Sequence, residues 1–184
     1  SAQYNAWEKD CRDRRKSYDD SININPFLKK SIPQILSGAD GKNIVYSPIN
    51  VYLALGMLTE VTDGASRQQI LDMLGYKDIQ ILRSHANSIF KAHYSDDGVY
   101  TSLLSNSIWL DKNIAYKKQP LETIANNYYA TSFSGNMGSA EYNKKYHDWL
   151  NSNTGGLLKD QINSLSLPKG AAIALASTIY YRSK

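Results

Sequence analysis

The stretch Lys42–Gly75, KNIVYSPINVYLALGMLTEVTDGASRQQILDMLG, decides how the rest of the chain is read. Asn43–Tyr46 is rich in β-branched and aromatic residues and predicts a short strand. Ser47-Pro48 predicts a helix start. Ser47 suits the cap, and Pro48 suits the first helical position, where its missing N–H costs nothing. Ile49, Tyr52, Leu53, Leu55, Met57 and Leu58 point all round the helix that follows, and a helix apolar on every side is a buried one. Gly56 in its middle is less favourable than Ala by about 1 kcal/mol, so another backbone is expected to pack close there. Asp63-Gly64 predicts a turn, Ser66-x-x-Gln69 a capping box, and Ile70, Leu71 and Leu74 a core stripe closed by Gly75.

Upstream, Phe27, Leu28, Ile32, Ile35 and Leu36 fall at helical spacing and predict an amphipathic helix bent or restarted at Pro33, followed by a turn at Gly38–Gly41. Residues 1–24, with Trp7, read as a polar lead-in. Downstream, Leu82, Ala86, Ile89, Phe90 and His93 share one helix face, closed by a turn at Asp96-Asp97-Gly98. Val99–Leu110 reads as a long strand. Leu121, Ile124, Ala125, Tyr128 and Tyr129 give a helix starting after Pro120; Tyr142, Tyr146, Trp149 and Leu150 give another, interrupted by Gly155-Gly156. Pro168-Lys-Gly170 turns into Ala171–Tyr181, AAIALASTIYY, whose lack of polar alternation predicts a central strand buried on both faces. A central strand needs two neighbours, yet the sequence ends three residues later, so the expectation is a piece of a larger α+β fold.

The chain has 184 residues, a net charge of +4 and a pI near 9.0, which is short of a nucleic-acid footprint. Its single cysteine, Cys11, excludes an intrachain disulfide. No apolar run reaches the roughly 18 residues of a membrane span, no signal-peptide pattern opens the sequence, and there is no Asn-x-Ser/Thr sequon. Arg12, Arg14, Arg15 and Lys16 interleave with Asp10 and Asp13, which fits a solvated face better than a polyanion site. Ser47 has neither the Gly-x-Ser-x-Gly frame of a nucleophile nor a base at a recognisable spacing. His85 and His93 have no carboxylate or cysteine to complete a metal set. No cofactor, metal or enzyme activity is expected.

Several stretches resemble, in unbroken order from about Asn25 onward, the serpins, the serine protease inhibitor family. The strand and two helices of Lys42–Gly75 resemble the first strand of sheet B followed by helices B and C. Ser105-Asn-Ser-Ile-Trp109 resembles the Asn-Ala-Leu-Phe pattern of strand 2 of sheet A. Ile124–Phe133 resembles the end of helix E and the start of strand 1. WLNSNTGGLLKDQI, with Thr154, Gly156 and Leu158 at the matching positions, is similar to the signature after helix F; ALASTIYYR resembles strand 3. Three departures stand out: Asn50 where the family has Ser, Ser177 where it has Asn, and Glu60-Val61 in place of Leu-Gly at the end of helix B.

The resemblance implies residues 25–184 as the N-terminal part of one serpin domain (helices A to F, one strand of sheet B and strands 1 to 3 of sheet A), with residues 1–24 as an extension. It implies a suicide inhibitor of a serine protease, or of a cysteine protease as second target class, whose cleaved reactive loop inserts into sheet A. Ser47, Asn50 and Ser177 then form the polar shutter, and an Asn/Ser exchange between contacting positions preserves its hydrogen bonds. Ala172, Ala174, Ala176 and Thr178 line the slot edge. The reactive bond and strand 5 would lie in a C-terminal half, the second partner implied. Helix D, which binds sulfated polysaccharides in some serpins, offers only Arg83, Lys91 and His93. An extracellular or cell-surface location is expected, with the cytoplasm left open. Two alternatives stand beside this: a non-inhibitory serpin acting as a binding or chaperone module, and a helix-rich binding domain using its 14 tyrosines on a partner or carbohydrate.

Overall fold

The computed structural model describes Lys9 and residues 22–96 and 100–183. Trp7, the charged run around Cys11, the Asp97-Gly98 turn and Val99 lie outside the described residues. In chain order the elements are α1 (Asn25–Ser37), α2 (Pro48–Glu60), α3 (Gly64–Leu74), α4 (Ile79–His93), β1 (Ser95–Asp96), β2 (Tyr100–Asp111), α5 (Lys118–Tyr128), β3 (Ala130–Gly135), α6 (Ala140–Asn153) and β4 (Ile173–Ser183), with one 3₁₀ turn at Ile162–Ser164.

The long strand β2 organises the sheet. On one side it pairs antiparallel with β4 along its length, from Tyr100↔Ser183 to Leu110↔Ile173. On the other it pairs antiparallel with β1 at Thr101–Ser102 and parallel with β3 over Asn106–Asp111. The parallel pair needs a crossover, which α5 supplies. Alternation then sorts the side chains. Leu104, Ile108 and Leu110 of β2, with Ile173 and Leu175 of β4, face a core built with α1 to α5 around Phe27, Tyr52, Leu53, Met57, Leu82, Ile89 and Tyr128. On the opposite face α6 covers a smaller aromatic cluster: Trp109 stacks on Phe133 at 4.1 Å and meets the edges of Tyr142 at 5.3 Å and Tyr146 at 5.2 Å. Ile22 and Ile24, within the stretch read as a lead-in, already pack into the main core. Among the described residues no helix is long and apolar enough to cross a membrane.

Several local expectations are corrected. Asn43–Tyr46 forms no strand: no described residue pairs with it, and Val45 is fully exposed, because β-propensity needs a neighbour's ladder. Gly56 is pressed by a ring and not by a backbone; a Cβ there would lie 2.6 Å from Cε1 of Tyr128. The cap of α3 is Asp63, whose carboxylate accepts from Gly64 N–H at 2.8 Å, so Ser66 sits inside the helix and not at its start. Helix α5 begins at Lys118, with Pro120 in its first turn, where proline is tolerated. Asp96 belongs to β1 and not to a turn.

For the last strand the missing neighbour is as expected, while burial on both faces is not. β4 begins at Ile173 and, among the described residues, pairs only with β2. It is an edge strand here. Ala176 and Thr178 are buried, but Ile179 and Tyr181 are exposed. Its apolar sequence is that of a two-sided strand, while one ladder edge stays open.

Candidate functional site

Helix α2 starts at Ser47-Pro48 as expected, but its cap works differently. Ser47 Oγ makes no bond to a backbone N–H of the first turn; it donates to Asn50 Oδ1 at 2.6 Å. Asn50 Nδ2 in turn donates to Ser177 Oγ of β4 at 2.9 Å, across 127 residues of sequence. Ser47, Asn50 and Ser177 are therefore one hydrogen-bonded line from the first turn of α2 to the edge strand. Beside Asn50 and Ser177 runs an open apolar groove of about 270 Å³, walled by Val51, Ala54, Leu55 and Leu58 of α2 and by Leu175.

The other face of β4 carries Ala174, Ala176 and Thr178, the residues read as slot edge, on the side where α6 lies. Ala174 packs against the Trp109 cluster, and Ala176 is buried. Their small size is what lets a helix carrying Tyr142, Tyr146 and Trp149 seat on the sheet. Ala172 is set apart: it precedes the strand, is exposed, and its carbonyl accepts from Asp111 N–H at 3.0 Å and from Tyr116 Oη. Thr178 Oγ1 is buried without a partner. At the sheet end of α6, Tyr142 Oη accepts from Leu110 N–H and donates to Leu110 O, both at 3.2 Å. Burial pushes the Tyr142 phenol above its ordinary pKa. After α6, Gly155 at φ +59° lies over Tyr180 of β4, whose ring would meet any Cβ at 2.7 Å.

Sequence reasoning missed a second polar assembly at the far end of α2. Glu60 is 4 % exposed, and Arg83 of α4 grips its carboxylate with both arms, Nη2–Oε2 at 2.6 Å and Nε–Oε1 at 2.9 Å. Tyr128 Oη donates to Glu60 Oε1 at 3.3 Å. The hydrogen bond to Glu60 raises the Arg83 pKa against the opposing effect of burial. Burial foremost, and then the Glu60 charge, holds the Tyr128 phenol well above its ordinary value, so it stays a donor. Arg83 is thereby committed to the interior, which leaves Lys91 and His93 on that helix, and His93 Nδ1 is bonded to Ile89 O at 2.8 Å. His85 Nδ1 pairs with Tyr76 Oη at 2.9 Å and not with His93. The only sequence signal for the ion pair was Glu60-Val61 standing where the family has two uncharged residues.

Comparison with known proteins accords with this architecture. The family description "Serpin (serine protease inhibitor)" matches residues 24–184. The chain is 25% identical over 169 residues to alpha-1-antiproteinase of Rattus norvegicus, covering 89% of this chain and 41% of that one. It is 26% identical over 162 residues to antichymotrypsin-2 of Bombyx mori, covering 85% and 42%. The fold superposes on Arabidopsis AtSerpin1 in its native stressed conformation with a TM-score of 0.75 at 21% identity, over 86% of this chain and 42% of that one. The chain belongs to the serpin family. It spans about two fifths of the length of these curated relatives, with α1 to α6 in the places of helices A to F and β3, β2 and β4 in those of strands 1, 2 and 3 of sheet A.

Proposed function

We propose that this chain is the N-terminal part of a serine-type endopeptidase inhibitor that traps its target by inserting its own cleaved loop beside β4. One observation carries the reading: Asn50 of the buried helix α2 latches the middle of the apolar strand β4 through Ser177. Serpin loop insertion is an established case of strand addition driven by stored strain. The antiproteinase and antichymotrypsin relatives support the inhibitor class. Ser47, Asn50 and Ser177 act as the gate, holding β4 against α2 until insertion. Ala174, Ala176 and Thr178 form the slot border that α6 slides over, and Ala172 lies just before it. The remaining half of the fold supplies the reactive loop and the strand on the other side of the slot, so residues 1–184 alone inhibit nothing.

The test is to incubate the complete protein with trypsin-, chymotrypsin- and elastase-like enzymes and separate the products under denaturing conditions. A boiling-resistant band at the summed mass is expected. Loop cleavage with no such band, and no later rise in Tm, refutes trapping and identifies a non-inhibitory serpin. Separately, Ser177→Ala is expected to speed spontaneous insertion or polymer formation; an unchanged rate removes the gate assignment.

A further inference from the structure

Donor and acceptor accounting leaves two loose ends on directly opposed residues. Ser177 Oγ accepts from Asn50 at 2.9 Å, and among the described residues no acceptor takes its own hydroxyl proton. Asn106 of β2, 2 % exposed, donates Nδ2 to Tyr128 O at 2.7 Å, while its Oδ1 is buried without a partner. Asn106 and Ser177 are register partners in the antiparallel β2–β4 ladder. Their side chains therefore leave the same face of the sheet, with Cβ atoms roughly 4.5–5.5 Å apart. A buried carbonyl oxygen left unpaired is disfavoured by more than an ordinary bond gains. The side chain directly opposite it on the ladder is the Ser177 hydroxyl.

We infer that Ser177 donates to Asn106 Oδ1, directly or through one bound water, and that Asn106 is a fourth positioning residue of the polar line Ser47–Asn50–Ser177. The line then runs unbroken from the first turn of α2, across β4 and β2, to the last carbonyl of α5 at Tyr128. The Tyr128 hydroxyl carries it on to Glu60 in the last turn of α2. Any displacement of β4 from β2 must break the link between Ser177 and Asn106. For its functional meaning this inference rests on the gate reading; as a link between named atoms it stands apart.

A double-mutant cycle on the complete protein tests it. Ser177→Ala is expected to lower the folding constant about fivefold less in an Asn106→Leu background than in wild type. In parallel, the side-chain amide NMR signals of Asn106 are expected to shift in Asn50→Ala, whose side chain bonds Ser177 and makes no hydrogen bond to Asn106. That second reading holds even if Asn106→Leu fails to fold. Additive single effects together with Asn106 signals unmoved by Asn50→Ala overturn the link, whatever the complete protein does to proteases. A coupled quartet in a protein that traps no protease leaves the link intact and overturns the function proposed above.

Discussion

Replacing Arg83 by Met should be among the most damaging single changes in this chain. The Glu60 side chain is 2 % exposed and the Arg83 side chain 19 %, so the carboxylate is the deeper partner and depends on the guanidinium. In the variant, Glu60 keeps one described partner, the Tyr128 hydroxyl at 3.3 Å, at a site where its side chain is 2 % exposed. Removing one member of a buried pair typically costs about 3–5 kcal/mol, because the remaining charge is stranded. For a chain of this size each kcal/mol lowers Tm by about 2–4 °C, so a fall of roughly 6–20 °C is expected. Urea unfolding followed by circular dichroism gives the same quantity from the midpoint and slope. The companion variant Glu60→Leu/Arg83→Met exchanges the pair for apolar groups and should recover at least half the loss. The remainder reflects the Tyr128 hydroxyl, left without its acceptor at a cost of about 1–3 kcal/mol. A loss under about 1 kcal/mol for Arg83→Met, or a double variant worse than the single, refutes the buried-pair reasoning.

Three further outcomes follow from the geometry. Asn50→Ala removes both bonds of the Ser47–Asn50–Ser177 line and should cost about 1–3 kcal/mol in urea, well above an exposed first-turn substitution; a loss within about 0.5 kcal/mol contradicts the latch. The open side of β4 and the exposed Ile179 and Tyr181 should make the isolated chain associate, so light scattering is expected to exceed the mass of a 20.7 kDa monomer; a stable monomer sinks this. Asp111 accepts from Asn113 N–H at 2.8 Å and Met137 N–H at 3.1 Å, which hold its carboxyl below the ordinary aspartate value. A depressed folded-state pKa gives stability that is complete above the unfolded value and lost as pH falls through the folded one. Asp111→Asn should therefore flatten the stability profile only below about pH 4, and an unchanged acid limb counts against it.

The helices were legible because their signals are local. The all-round apolar α2, the left-handed Gly75 closing α3 and the 3.6-residue stripes of α4 to α6 depend on neighbours a few residues away, and the structure keeps them all. The α+β class and the serpin order followed from the sequence of these elements. Pairing was not legible, because a ladder needs a partner that local sequence does not name. Asn43–Tyr46 has strand composition and no strand, and the eleven-residue pairing of Ile173–Ser183 with β2 could not be named from its own sequence. The candidate site divides the same way. Resemblance nominated Ser47, Asn50 and Ser177, but only tertiary folding turned the Ser47 hydroxyl onto the Asn50 side chain and brought Ser177 to it from 127 residues away. Nothing near Glu60 in the sequence signals Arg83. A buried charge is tolerable only where its counter-charge arrives from another element, and that is a property of the folded chain.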